Sequence, residues 1–136
     1  MKSVRAFRGA TQLSADTKAE MREAVVELLQ DLLKANSISD DDLISILFTA
    51  TPDIQSDFPA AGVRELGLVD LPLICAQELD VAGSLPRTIR LLIHANSSLT
   101  RGEVTHKYLR GAVVLRPDLV ARADKSGIDL KIDGEK

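Results

Sequence analysis

Thr88-Ile89-Arg90-Leu91-Leu92-Ile93-His94-Ala95 decides how the rest of this chain is read. It has strand length and strand composition, and no residue in it breaks a strand. Its oddity is Arg90, a charge inside an otherwise apolar run. A guanidinium does not shed its proton, so in a half-buried strand it needs an anion or stays in water. A structural ion pair or the solvent face of the strand would meet that need. So would a bound anion.

Elsewhere along the chain, Leu43 to Ala50 is a second apolar run of strand length, with apolar residues on both faces as in a covered central strand. Leu71 to Gln77 reads as another strand. Lys2 to Gly9 is a short β-prone stretch ending at a glycine, and Gly111 to Arg116 reads as the last strand. Between them lies one long amphipathic helix. Thr17 and Glu20 have capping-box spacing, with Asp16 as a rival cap. Met21, Ala24, Val25, Leu28, Leu29, Leu32 and Leu33 then recur at helical period, and the helix ends near Asn36. Ser39-Asp40-Asp41-Asp42 looks like a further helix start, because acids favour a first turn. Phe58-Pro59 opens a short helix through Leu66, and Thr100 with Glu103 repeats the capping-box spacing before another.

The order is β-α-β-α-β-β-α-β, which predicts one domain of the α/β or α+β class built on a mixed five-stranded sheet. The domain is expected over residues 1–119, followed by a polar, loosely ordered tail over 120–136.

Composition closes off several functions. With 45% hydrophobic and 27% charged residues the chain reads as an ordinary globular protein. Its apolar runs fall far short of the roughly 20 residues of a membrane span. Met1-Lys2-Ser3 leads into no signal-type apolar stretch, so the cytoplasm and no membrane are expected. One cysteine (Cys75) and two histidines (His94, His106) make neither a disulfide framework nor a Cys/His zinc set. Four aromatic rings and a net charge of −3 suit nucleic acid poorly. The chain carries no nucleophile elbow, P-loop, dinucleotide fingerprint or HExxH motif, so no cofactor is expected.

What remains is arginine. Arg8 is expected to close the first strand, Arg90 stands inside the fourth, and Arg116 ends the fifth. Ligand sites of open sheets gather at strand ends, so the three together suggest a site for a small carboxylate or phosphate. Glu78, ending the third strand, is a natural partner for one of them. Tyr108 is expected to pack half-buried with its hydroxyl at the surface. Cys75 reads as a small core residue. His94, on a strand, and His106, on a short helix, receive no role.

Five blocks in register resemble one family. They are Arg8-Gly9-Ala10-Thr11; Ala50-Thr51-Pro52-Asp53 with Phe58-Pro59-Ala60 and Arg64-Glu65-Leu66; Cys75-Ala76-Gln77-Glu78-Leu79-Asp80-Val81 with Gly83-Ser84-Leu85; Ile89-Arg90; and Tyr108 with Ala112-Val113-Val114-Leu115-Arg116-Pro117-Asp118. The family is chorismate mutase of the trimeric α/β-barrel class, not the all-helical class. The match runs from about Val4 to Leu119. It departs at Pro86-Arg87-Thr88, where the pattern is variable, and in a tail longer than the family's.

The resemblance implies a homotrimeric pseudo-α/β-barrel with active sites at subunit interfaces, converting chorismate to prephenate on the route to phenylalanine and tyrosine. By matched motif, Arg90 would contact the ether oxygen and a carboxylate. Arg8 would bind the enolpyruvyl carboxylate, with Tyr108 hydrogen-bonding near it. Glu78 and the backbone at Cys75 would take the ring hydroxyl. Phe58 would wall the pocket, and Arg64 and Arg116 would stand at its mouth. Ile74, Ala76, Gln77 and Leu115 complete the implied substrate-binding set. A trimeric imine/enamine deaminase of similar architecture and a non-catalytic trimer sensing carboxylates are the rival readings. The Gln77-Glu78-Leu79-Asp80 block, the Ile89-Arg90 strand and the Tyr108 to Asp118 segment favour the mutase over the first.

Overall fold

The computed structural model describes residues 1–115 of the 136. Strand β1 (Ser3–Gln12) pairs antiparallel with β4 (Thr88–Ser97), in unbroken register from Ser3 opposite Ser97 to Gln12 opposite Thr88. On its other side β4 pairs antiparallel with β2 (Leu43–Ala50), which pairs parallel with β3 (Leu73–Gln77). A two-residue strand β5 (Lys107–Tyr108) lies parallel on the free edge of β1. The sheet is mixed and five-stranded, in the order β3-β2-β4-β1-β5. Among the described residues no helix is long and apolar enough to cross a membrane.

Helix α1 (Lys18–Ala35) covers one face. Its buried stripe of Met21, Ala24, Val25, Leu28, Leu29 and Leu32 packs on Phe7, Ile46, Phe48, Ile89, Leu91 and Ile93, alternate residues of three strands. A shorter helix α2 (Ala60–Glu65) packs against α1. The helix start is half a capping box. Thr17 Oγ1 accepts from Glu20 N at 3.1 Å, but the Glu20 carboxylate reaches past the cap to the amides of Ser14 and Ala15. The Ser39-Asp42 and Thr100-Glu103 boxes each close a single 3-10 turn.

Several expectations are corrected. Strand β1 does not stop at Gly9 but runs on to Gln12. A Cβ on Gly9 would stand 2.7 Å from Leu32 Cδ1 and 3.0 Å from Leu28 Cδ1, so the glycine lets α1 sit close on the sheet instead of ending the strand. Arg8 therefore lies within β1, not at its end. The Val-Val-Leu run from Gly111 is not a strand but a 3-10 helix over Arg110–Leu115. The edge of β1 is already taken by Lys107 and Tyr108, so the fifth strand is β5, and His106 precedes it instead of lying on a helix. Of the expectations for the C-terminal segment, those on Arg116 and the 120–136 tail lie outside the described residues.

The expectation that β2 is covered on both faces holds on one only. Ile46 and Phe48 are buried under α1, while Leu47 on the other face is 37% exposed. No element of the described chain covers that second face.

The segment leading into β5 is held from α1. Asn36 caps the helix and is itself buried. Its Nδ2 donates to the carbonyls of Leu32 and Thr105, and its Oδ1 accepts from Thr105 N at 2.8 Å. Removing it strands buried backbone groups, so Asn36→Ala is expected to cost about 2–4 kcal/mol. Equilibrium urea unfolding measures it, and a loss below about 0.5 kcal/mol would contradict the clamp.

Glu20 makes a second prediction. Burial works against its charge, but donors from Ser14 and Ala15 and the Arg110 guanidinium outweigh it and hold its carboxyl below the usual range. A lowered folded pKa means the contribution is complete above the unfolded carboxylate value and is lost as acid protonates the group. Glu20→Gln should therefore lower Tm at pH 7, and the gap from the parent should close as pH falls below the ordinary carboxylate range. A gap that persists unchanged in acid would show that the charge is not what stabilises.

Candidate active site

The sheet face away from α1 carries Ala6, Arg8 and Ala10 of β1, Arg90, Leu92 and His94 of β4, Leu47 and Thr49 of β2, and Ile74 and Ala76 of β3, each set by strand register. Arg90 stands opposite Ala10 on one side and Thr49 on the other. Its Nε donates to Glu78 Oε1 at 2.8 Å, and the same oxygen accepts from Thr49 Oγ1 at 2.7 Å. Glu78 is delivered there by the parallel ladder, which continues one residue past β3 through Glu78 N donating to Ala50 O at 2.9 Å.

Both meanings of a charge in an apolar strand are thus present at Arg90. Its Nε makes a structural ion pair with Glu78. Its two terminal amino groups have no acceptor among the described residues. The Arg90 side chain is 32% exposed and that of Glu78 17%, so the fork is reachable while its partner is mostly enclosed.

Arg8 stands opposite Leu92, which makes it a diagonal neighbour of Arg90 on the adjacent strand, at a spacing of about 7 Å. Its guanidinium is exposed and has no acidic partner among the described residues. Its backbone amide donates to His106 Nδ1 at 3.0 Å, which anchors β1 at this point. Two guanidinium groups against one carboxylate leave the face locally cationic on an acidic protein.

Tyr108 sits in register with Ala10, on the Arg90 side. Its ring packs with Ala10, Ala112, Leu85 and Leu115. The expectation of a surface hydroxyl is overturned: Tyr108 is 2% exposed and its Oη is buried with no hydrogen-bond partner among the described residues. The short edge strand draws the ring beneath the 3-10 helix that follows. A buried hydroxyl left unpaired costs about 1–3 kcal/mol, so this one calls for an acceptor beyond residues 1–115.

The remaining predicted residues gather elsewhere. Phe58, Cys75, Ala76 and Gln77 line a cleft of about 470 Å³ between the loop after β2 and strand β3. Phe58 is 68% exposed, and Cys75, on the covered face, also packs against the main core. Ile74 is exposed on the Arg90 face, across from Leu47. Arg64 is exposed on α2 and lines neither place. The chain therefore brings Arg8, Glu78, Arg90, Tyr108 and Leu115 to one part of the molecule and Phe58, Cys75, Ala76 and Gln77 to another, with Ala76 common to the cleft and the face.

Two participants are not legible in the sequence. Thr49 is a polar residue in an apolar strand, but only strand pairing puts it opposite Arg90. Lys18, on the rim of the cleft, has the pattern of an ordinary first-turn residue.

Comparison with known proteins bears on this geometry. The chain matches the family model for chorismate mutase type I over residues 4–119. It is 45% identical over 117 residues to chorismate mutase AroH of Thermus thermophilus, across 85% of this chain and 96% of that one. It is 38% identical over 117 residues to chorismate mutase AroH of Bacillus subtilis, across 85% and 92%. The solved chorismate mutase of Clostridium thermocellum superposes with a TM-score of 0.79 at 39% identity, covering 81% of this chain and 98% of that one. A mixed sheet of the same architecture and a sequence match across most of the length lead to one conclusion: the chain belongs to the chorismate mutase type I family.

Proposed function

We propose that this chain is a chorismate mutase, which rearranges chorismate to prephenate in aromatic amino-acid biosynthesis, and that the Arg90 face is where it acts. The observation that carries the site is Arg90 itself, pinned through Nε by Glu78 with its fork left for a ligand on an open face beside Arg8. The reaction is an intramolecular [3,3] shift. A carbon–oxygen bond breaks as a carbon–carbon bond forms, the electrons move within the substrate, and no proton, nucleophile, metal or cofactor takes part.

Two tasks are left for the protein. The flexible dianion must be held in a compact conformer, which forked guanidinium groups on carboxylates accomplish. The departing ether oxygen gains negative charge in the transition state, and a cation already fixed beside it favours that state over the ground state. Arg90 serves the second task, because Glu78 and Thr49 remove its freedom before substrate arrives. Arg8 serves chiefly the first, with the Tyr108 hydroxyl donating to a carboxylate. The second Glu78 oxygen, which no described residue occupies, accepts the ring hydroxyl.

We infer further that the working unit is a homotrimer with sites at subunit interfaces. The uncovered face exposes Ile74 at 64% and Leu47 at 37%, and the cleft at Phe58 holds the implied wall of the pocket apart from the arginines. Copies packed through these surfaces would bury the apolar residues and close each site. The substrate is chorismate, with no nucleic acid or membrane partner. Family membership disfavours the imine deaminase, and turnover separates an enzyme from a carboxylate sensor.

Arg90→Ala is expected to lower kcat by about 10²–10³, the usual loss for one preorganised donor to a developing oxyanion. Arg90→Lys should recover little, since one ammonium cannot both pair with Glu78 and fork onto two oxygens. Loss of chorismate ultraviolet absorbance, with prephenate identified as product, measures both. Near-normal turnover by either variant would remove Arg90 from this role. With no proton transfer in the chemical step, kcat should stay nearly flat from about pH 5 to 9. A steep bell centred near neutrality would contradict the mechanism.

A further inference from the structure

Arg110 lies two residues beyond Tyr108 and begins the 3-10 helix that carries Ala112 and Leu115 onto the tyrosine ring. Its φ is +54°, in the left-handed region that arginine rarely adopts, so its surroundings must impose this conformation. At this turn the side chain is anchored on α1. Arg110 Nε donates to Glu27 Oε1 at 3.1 Å, Nη1 to Glu20 Oε2 at 3.4 Å and Nη2 to Glu23 Oε1 at 3.0 Å. The three carboxylates fall on one stripe of α1, at i, i+3 and i+7. They repel one another unless a cation lies among them, so latch and stripe need each other. Burial opposes the charge on Arg110, but its pairs with Glu23 and Glu27 outweigh that and strengthen its hold on the proton.

Between the latch and Tyr108 there is little slack. Leu109 is fully buried in the main core, and its amide donates to Ala10 O at 2.9 Å. On the other side Asn36 clamps Thr105, so Tyr108 hangs between two attachments to the same helix. The ring, whose hydroxyl has no partner among the described residues, can therefore shift only if one attachment yields.

We propose that Arg110 is a positioning residue for Tyr108: its three-carboxylate latch on α1 sets where the tyrosine hydroxyl meets a carboxylate of the substrate. This rests on the reading of Tyr108 as a substrate contact. Arg110 itself touches no substrate. It acts through the backbone of Leu109 and through the turn that seats Leu115 on the ring.

A kinetic double-mutant cycle on the full chain tests it, with Tyr108→Phe, Arg110→Ala, the double variant and Arg110→Lys, each measured for kcat, KM for chorismate and Tm. Tyr108→Phe should raise KM about 10-fold or more, as expected for a lost hydrogen bond to a charged group, with kcat changed less than about threefold. Arg110→Ala should raise KM by a comparable factor, and Arg110→Lys by less. The double variant should stay within about threefold of Tyr108→Phe alone, because a hydroxyl that is gone cannot be misplaced. Effects on KM that multiply, or an Arg110→Ala variant with lower Tm and unchanged KM, would overturn the latch and leave Tyr108 as a contact. A kinetically silent Tyr108→Phe would overturn the substrate contact, and the latch with it. If Arg110→Ala does not fold, Glu27→Gln paired with Tyr108→Phe runs the same cycle, and the same outcomes support or overturn the latch.

Discussion

A guanidinium that cannot discharge, placed in a strand that also lines the core, constrains everything around it. Strand β4 packs Ile89, Leu91 and Ile93 against α1, and strand alternation then sends Arg90 to the opposite face. That face cannot be closed by an apolar layer of the same chain without an anion for the charge. Glu78 supplies half of the answer through Nε. The other half is left for a ligand, and the proposed chemistry uses this incompleteness. The carboxylate that makes Arg90 tolerable in the sheet also removes its rotational freedom, so the cation is in place before the ether oxygen becomes negative.

Helix α1 does more than cover the sheet. Its inner stripe forms the core, and Gly9 allows it to approach closely enough to do so. Its C-terminal cap, Asn36, holds the strand that bears Tyr108 from one end. Its acidic stripe of Glu20, Glu23 and Glu27 holds the following turn from the other, and Asp31 lies 3.7 Å from the buried ammonium of Lys107 between them. The short edge strand β5 has only two residues to pair, too few to fix itself. Its order comes from the helix, which links the most regular element of the fold to one of the least regular parts of the site.

The legible features are those with a period. Helix α1, β2, β3 and β4 each present enough residues for alternation or helical spacing to show, and the structure has them at nearly the expected places. Signals of one or two residues mislead. Gly9 resembles a strand end, because the sequence cannot tell a glycine that breaks a strand from one that admits a helix. Val113-Val114-Leu115 resembles a strand from its β-branched residues, but a strand needs an edge to pair with, and Lys107-Tyr108 holds it. The expectation of a Tyr108 hydroxyl in water fails for the same reason, since its burial depends on the turn that packs over it.

Local pattern and residue order were enough to settle the class of fold, the strand with a charge inside it, and, through five blocks in register, the family. These properties travel with the chain whether or not it is folded. Folding alone settled which carboxylate Arg90 takes, that Arg8 lies on the neighbouring strand two positions away, that the Tyr108 hydroxyl is buried without a partner among the described residues, and that Arg110 gathers three carboxylates of α1. Glu78 lies 12 residues from Arg90 and Glu27 83 residues from Arg110. Pairings at such separations are set by strand register and by the seating of the helix on the sheet, which no local pattern of residues encodes.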